Sequence, residues 1–269
     1  MKKSRLAIIG AGNIGTKIAE FVLKQFNNYK LSGVFDVNKI ALDKFCKKFK
    51  VKSSPDIDHL IKTSDLIIES ASPQAVSEIL KRKRILKGKK IIIVSVGGLV
   101  GVRKIAEITK KYSFDLYIPS GAVCGIDGIS AIALGKIKKC DIVTLKPPAG
   151  FFGNDYLKKN KISLNNLKKE KVIFKGSVIQ AIKHFPKNIN IAATVYLALN
   201  FKKDVKVVIK ASPFVKRNVH TLSLRSDIAN INISIENIPS EDNPKTSALT
   251  VSSVKALFLK MHSSLHVGV

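Results

Sequence analysis

Residues 5–15 read RLAIIGAGNIG, an apolar run that breaks into glycines and then enters a helix-forming stretch. Gly10, Gly12 and Gly15 keep the GxGxxG spacing. In that pattern the first glycine permits a tight turn, the second lets backbone approach a pyrophosphate, and the third lets helix and strand pack closely. Asn13 and Ile14 open the helix, whose unpaired N–H groups and positive dipole end favour phosphate. Asp36 closes the next apolar run, KLSGVFD, about 20 residues after the last glycine, where a carboxylate accepts from ribose hydroxyls. The same carboxylate repels a 2′-phosphate, so the expected cofactor is NAD, with NADP as the alternative. A glycine turn with no ligand is the competing reading, and the agreement of strand, helix and spaced acid weighs against it.

Outward from this turn the chain alternates strand and helix. A helical stretch over 38–49 and a short helix near 56–62 precede DLIIES, PQAVSEILKRKR, KKIIIVSV and VRKIAEITKKY. Strand runs without in-out alternation imply burial on both faces, hence a parallel sheet covered by helices. The fold class is α/β, with a Rossmann-type doubly wound domain over residues 1–118. Pro73 suits a first helical turn, so Ala71, Ser72 and Pro73 fall at the carboxyl edge of the sheet, where ligands bind in such folds. After Pro119 the strands alternate, as in residues 229–237, where Ile231, Ile233 and Ile235 face one way and Asn232, Ser234 and Glu236 the other. This predicts an α+β substrate domain over 119–245, its sheet mostly covered on one face, and a final helix over 246–260 that returns to the first domain.

The formal charge of +28 invites a polyanion reading, but six of the 47 basic residues are Arg and the 41 Lys are spread along the chain. A nucleic-acid reader concentrates charge on one face and uses Arg for bidentate contacts. A solvated lysine surface that draws in anionic ligands is the better account, and no specific nucleic-acid partner is expected. Three cysteines without CxxC spacing suggest neither a disulfide framework nor a zinc site. The longest apolar stretches are too short to span a bilayer, and Lys2 and Lys3 precede a glycine fingerprint, not a signal sequence. The expectation is a cytoplasmic protein with no membrane partner. No HExxH or similar pair occurs, so no metal is expected.

Among the five histidines, His220 stands out. Period-two alternation in 218–225 puts it on the face of Leu222 and Leu224, and an inward imidazole of ordinary pKa, about 6.5, exchanges protons near neutrality. A satisfied core histidine is the bland alternative. Asn188 and Asn190 open the apolar helix INIAATVYLAL, where one of them is expected to cap it. Ser120, Gly121 and Ala122, small residues placed just after the sixth strand, let backbone approach a flat ring. Lys245 and Lys146 are candidates to neutralise substrate carboxylates, and each competes with a solvated-lysine reading. Cys124 raises a thiol-nucleophile alternative, but no adjacent histidine would activate it.

PSGAVCGIDG at 119–128, FPKNINIAA at 185–193, RNVH at 217–220 and EDNPKTS at 241–247, together with GAGNIG and the ASP of residues 71–73, resemble the L-aspartate dehydrogenase family over essentially the whole chain. The resemblance implies oxidative deamination of L-aspartate through iminoaspartate to oxaloacetate and ammonia with a nicotinamide cofactor. It further implies His220 as the catalytic residue and Ala122 and Asn188 as cofactor contacts beside the glycine turn, Asp36 and residues 71–73; Ser120, Asn190 and Lys245 are the expected substrate contacts. A homodimer is expected, with a functional link to quinolinate synthase in NAD biosynthesis. Two departures stand against the family pattern: Leu145 where many relatives carry Arg, and Ser226 and Ala229 where they carry glycines. The rivals are a dehydrogenase of another amino or hydroxy acid, and a non-catalytic NAD-sensing or polyanion-binding protein.

Overall fold

A computed structural model describes residues 3–102, 104–185, 189–240 and 243–268, except the side chains of 243–246. The chain divides into two compact units, Met1–Pro119 with Val251–Leu265, and Ser120–Thr250 with His266–Val269.

In the first unit β1 (Ser4–Ile9), α1 (Asn13–Gln25), β2 (Tyr29–Phe35), α2 (Lys39–Phe49), α3 (Ile57–Lys62), β3 (Leu66–Glu69), α4 (Pro73–Lys81), β4 (Lys90–Ile93), α5 (Ile105–Tyr112) and β5 (Asp115–Tyr117) follow in order. The strands form a parallel sheet in the order β2-β1-β3-β4-β5. Leu6, Ala7, Ile8 and Ile9 are all buried, which explains why β1 reads as a continuous apolar run. Side-chain caps start the helices: Asn38 accepts from Ala41, Asp56 from His59 and Ser72 from Ala75, with Pro73 in the first turn. The sheet has five strands, so residues 120–122 follow the fifth strand and not a sixth. Within VKSSP only an isolated bridge, Val34 to Ser53, pairs with the sheet, because Pro55 cannot extend a ladder.

The second unit holds α6 (Ile126–Ile132), β6 (Ile137–Lys146), α7 (Asp155–Lys159), β7 (Lys171–Ser177), α8 (Val178–His184), α9 (Asn190–Ala198), β8 (Lys206–Ala211), β9 (Asn218–Ser226), β10 (Asn230–Asn237), β11 (Pro239–Ser240) and β12 (Asn243–Ser247). Its main sheet runs β10-β9-β6-β8-β7, parallel between β6 and β8 and antiparallel elsewhere, while β11 and β12 form a separate two-stranded ribbon. On β9, His220, Leu222, Leu224 and Ser226 are buried, whereas Thr221 and Arg225 are exposed. α10 (Ala248–His262) closes the sequence of elements. It starts two residues later than the periodicity predicts, because Thr246 and Ser247 finish β12 and the Ser247 hydroxyl accepts from Leu249 N–H (3.1 Å). Val254 and Phe258 of α10 join Leu6, Ile18, Val22 and Phe45 in the core of the first unit.

Candidate active site

The glycine turn is shaped by contacts that leave no room for side chains. Gly10 sits at φ +101°, and a Cβ there would lie 2.7 Å from Ala71 N. At Gly15 a Cβ would overlap the Gly10 carbonyl oxygen and lie 2.8 Å from Ser70 Oγ, so this glycine lets α1 pack onto the strand ends. Gly12 differs. A Cβ there meets nothing within 4 Å, and Gly12 caps α1 without a side-chain hydrogen bond or an acid in the first turn. An open backbone at an uncompensated helix amino terminus fits a dinucleotide phosphate. Asn13 and Ile14 begin α1 half-buried, Ile14 against the core.

Asp36 is tied to this turn. Its Oδ2 accepts from Ala11 N–H (2.7 Å) and its Oδ1 from Asn38 N–H (2.8 Å). Each oxygen keeps a further lone pair, so the carboxylate can hold the turn and still accept from a hydroxyl. Across the sheet edge Ala71 is exposed, Ser72 caps α4 and Pro73 is its first residue. Beneath them lies Glu69, which the sequence places at the same ligand-binding strand edge without a role of its own. Glu69, 0% exposed, accepts from Ala71 N–H (2.8 Å) and Ser72 N–H (2.9 Å) through Oε1 and from Ser95 N–H (3.0 Å) through Oε2. Burial pushes its carboxyl up, and these donors oppose the shift. The available signal was an acid closing an apolar strand just before a Ser-Pro cap.

In the second unit His220 is 7% exposed, and its Nδ1 shares a 2.9 Å hydrogen bond with Thr144 Oγ1, its direct partner across the β6/β9 ladder. That bond leaves Nε2 for proton exchange. Lys146, two residues beyond Thr144 and therefore on the same face, is 5% exposed. Burial, with Lys146 adding to it, pushes the imidazole down to about 3, and burial brings the Lys146 ammonium down to about 8. The near-neutral value of an ordinary imidazole therefore does not hold in the substrate-free chain, because desolvation and a neighbouring cation both disfavour its charged form. Leu145 points to the opposite face, beside Val219 and Lys210, so an Arg at this position would not share the face of His220. Arg217 faces outward as well, 3.6 Å from Glu236.

The remaining candidates divide unevenly. Ala122 and Ser120 are half-buried, and the Ala122 carbonyl accepts from Asn237 Nδ2 (3.4 Å), whose Oδ1 accepts from Ser247 Oγ (2.6 Å). Asn190 is the first residue of α9 and not its cap, since Ile189 occupies that position without a side-chain hydrogen bond. Asn188 lies outside the described residues, and so does the side chain of Lys245, whose backbone runs in β12. Cys124 is exposed, while burial pushes Cys140 up to about 12. The Ser226 hydroxyl accepts from Ile228 N–H (3.1 Å) and Ala229 N–H (3.0 Å) and so closes the β9–β10 turn. Among the described residues no helix is long and apolar enough to cross a membrane.

Residues 127–261 match the family described as aspartate dehydrogenase, C-terminal, and residues 10–119 match the homoserine dehydrogenase NAD-binding domain. The L-aspartate dehydrogenase of Methanocaldococcus jannaschii is 36% identical over 269 residues, covering 98% of this chain and 99% of that one. That of Bradyrhizobium diazoefficiens is 35% identical over 265 residues, covering 98% and 94% respectively. The crystal structure of aspartate dehydrogenase from Thermotoga maritima superposes with a TM-score of 0.72 at 31% identity, covering 98% of this chain and 99% of that one. Myo-inositol 2-dehydrogenase from Lactobacillus plantarum, at 13% identity and a TM-score of 0.52, shares the fold. A glycine turn built for a dinucleotide, a buried imidazole beside a buried amine, and full-length similarity at this level agree, and the chain belongs to the L-aspartate dehydrogenase family.

Proposed function

We propose that the chain oxidises L-aspartate to iminoaspartate, which hydrolyses to oxaloacetate and ammonia. The observation that carries this reading is the buried His220, Thr144 and Lys146 cluster, in the part of the chain that matches the aspartate dehydrogenase C-terminal family. Residues 1–118 serve as the cofactor domain and 119–245 as the substrate domain. Gly10, Gly12, Asn13, Ile14 and Gly15 hold the pyrophosphate, Asp36 the ribose, and residues 71–73 with Ala122 and Asn188 the nicotinamide half. The bound nicotinamide supplies the hydride acceptor. Asp36 favours NAD over its 2′-phosphorylated form by charge.

The protein's own part is proton management and orientation. A neutral His220 accepts a proton through Nε2 from the water that adds to the imine carbon, and that proton returns to nitrogen as ammonia leaves. A substrate with two carboxylates offsets the charge of Lys146, which raises the proton affinity of the imidazole when the site is filled. Ser120, Asn190 and Lys245 contact the substrate. A reducing, cytoplasmic setting is supported by three free cysteines, a homodimer by a half-covered second sheet, and a role ahead of quinolinate synthase by the imine product. Aspartate-dependent reduction of NAD, followed at the reduced nicotinamide band with glutamate and malate as controls, tests the reading. No signal with aspartate, or an equal signal with glutamate or malate, refutes it.

A further inference from the structure

Lys146 is the one buried lysine among the described residues, in a chain with 41 of them. A long cationic side chain is rarely buried without a task, because desolvation of an ammonium is expensive. Its stem runs beside the turn Pro148–Phe151, where a Cβ on Gly150 would lie 3.6 Å from Lys146 Cβ. Across the ladder it meets Ala211 of β8, and two residues before it on the same face Thr144 holds His220 of β9. Lys171 of β7 stands opposite Ala211, is exposed, and donates to the Ser163 carbonyl oxygen (3.3 Å). Lys210 with Glu170 and Arg217 with Glu236 lie on the opposite face, and β10 presents Ile235 to His220. An amine and an imidazole therefore share the buried face.

Amino-acid oxidation needs two proton acceptors at different stages. An α-amino group enters as an ammonium, which has no lone pair to push toward the carbon as hydride departs, so one N–H proton must leave first. Water then adds to the imine carbon and releases a second proton. We propose that Lys146 is the base for the first of these steps and that His220 serves the second. The Lys146 Nζ lone pair takes one proton from the substrate ammonium, giving a neutral substrate amine and a lysine ammonium, and that cation stays to face the substrate carboxylates. Burial prepares the lysine for this role by bringing its proton affinity close to neutrality, a tuning that suits a general base. The inference rests on the aspartate dehydrogenase reading.

Lys146→Arg separates a base from a carboxylate anchor, since a guanidinium keeps the charge and cannot release its proton. As a base, Lys146 gives wild-type kcat/KM a limb that rises with pH toward about 8. Lys146→Arg then loses ~10²-fold or more in kcat, keeps KM for aspartate within a few-fold, and lacks that limb. Retained turnover with the limb intact overturns the proposal. Should the bulkier arginine prevent folding, Lys146→Ala with added methylamine decides: rescue that grows with the free-amine concentration supports it, and absence of rescue overturns it. An independent readout uses the substrate-free protein. NMR titration of His220 in Lys146→Met must show its midpoint moved up from about 3, and an unmoved midpoint removes the shared site on which the proposal stands. A wild-type protein that reduces NAD with glutamate or malate in place of aspartate would instead overturn the substrate reading alone, leaving the lysine tests intact.

Discussion

At the scale of single residues, His220 combines two demands that pull against each other, since an imidazole needs burial to meet a dry substrate and loses its proton affinity by being buried. Its replacement by Ala should lower turnover by ~10²-fold or more while NADH affinity, read by fluorescence titration, stays near wild type. The same burial couples it to stability. Its native value near 3 lies below the ordinary unfolded value of 6.5, so between these limits the unfolded chain binds one more proton than the native chain. The stabilising contribution is complete above pH 6.5 and is lost as pH falls toward 3. Between pH 7 and 5 this amounts to about 2 kcal/mol, and in urea unfolding His220→Gln should show a correspondingly flatter dependence on pH over that interval. Alternation within β9 was enough to read the inward direction of His220 from sequence. The depressed proton affinity was not legible, because it depends first on how deeply the imidazole is buried and then on Lys146, which shares its face only through the register between β6 and β9.

At the scale of elements, the strand, turn and helix of residues 4–25 assign different tasks to glycines that look alike in sequence. Gly15→Ala places a methyl into the Gly10 carbonyl and beside Ser70 Oγ, and should cost about 1–3 kcal/mol of stability. Gly12→Ala meets no protein atom within 4 Å. It should leave the thermal midpoint nearly unchanged and still weaken NADH binding tenfold or more, because the methyl occupies the phosphate's space. Calorimetry and cofactor titration of the two variants check the contrast, and equal destabilisation would mean that the turn is purely structural. The first sheet was legible because both-face burial leaves a strong apolar signature in each strand. Glu69 was not, since a lone acid at a strand end reads as solvated until the chain returns at Ser95 to donate to it. The start of α10 was displaced for a similar reason: Thr246 and Ser247 carry no periodicity of their own and are claimed by pairing with β11.

At the scale of the whole molecule, the charge of +28 is set by lysines scattered along the sequence, and no single element accounts for it. Carboxylates number 19 against 47 basic residues, so the cations outnumber the acids that could pair with them. A surplus of this kind surrounds the protein with a positive potential that attracts anions over roughly one Debye length, about 30 Å at 0.01 M salt and 10 Å at 0.1 M. Dinucleotide and dicarboxylate are both anions, so the charge acts on their encounter and not on the chemistry that follows. Raising NaCl from 0.01 to 0.3 M should therefore lower kcat/KM for aspartate by up to about tenfold while kcat changes little. A neutral osmolyte at matched osmolarity should have no such effect. The competing account, a surface made for nucleic acid, predicts duplex DNA binding whose logarithm falls steeply and linearly with the logarithm of salt, together with inhibition of turnover by the duplex. Flat steady-state constants across the salt series, with measurable DNA affinity, would move the function of the lysines away from the active site altogether.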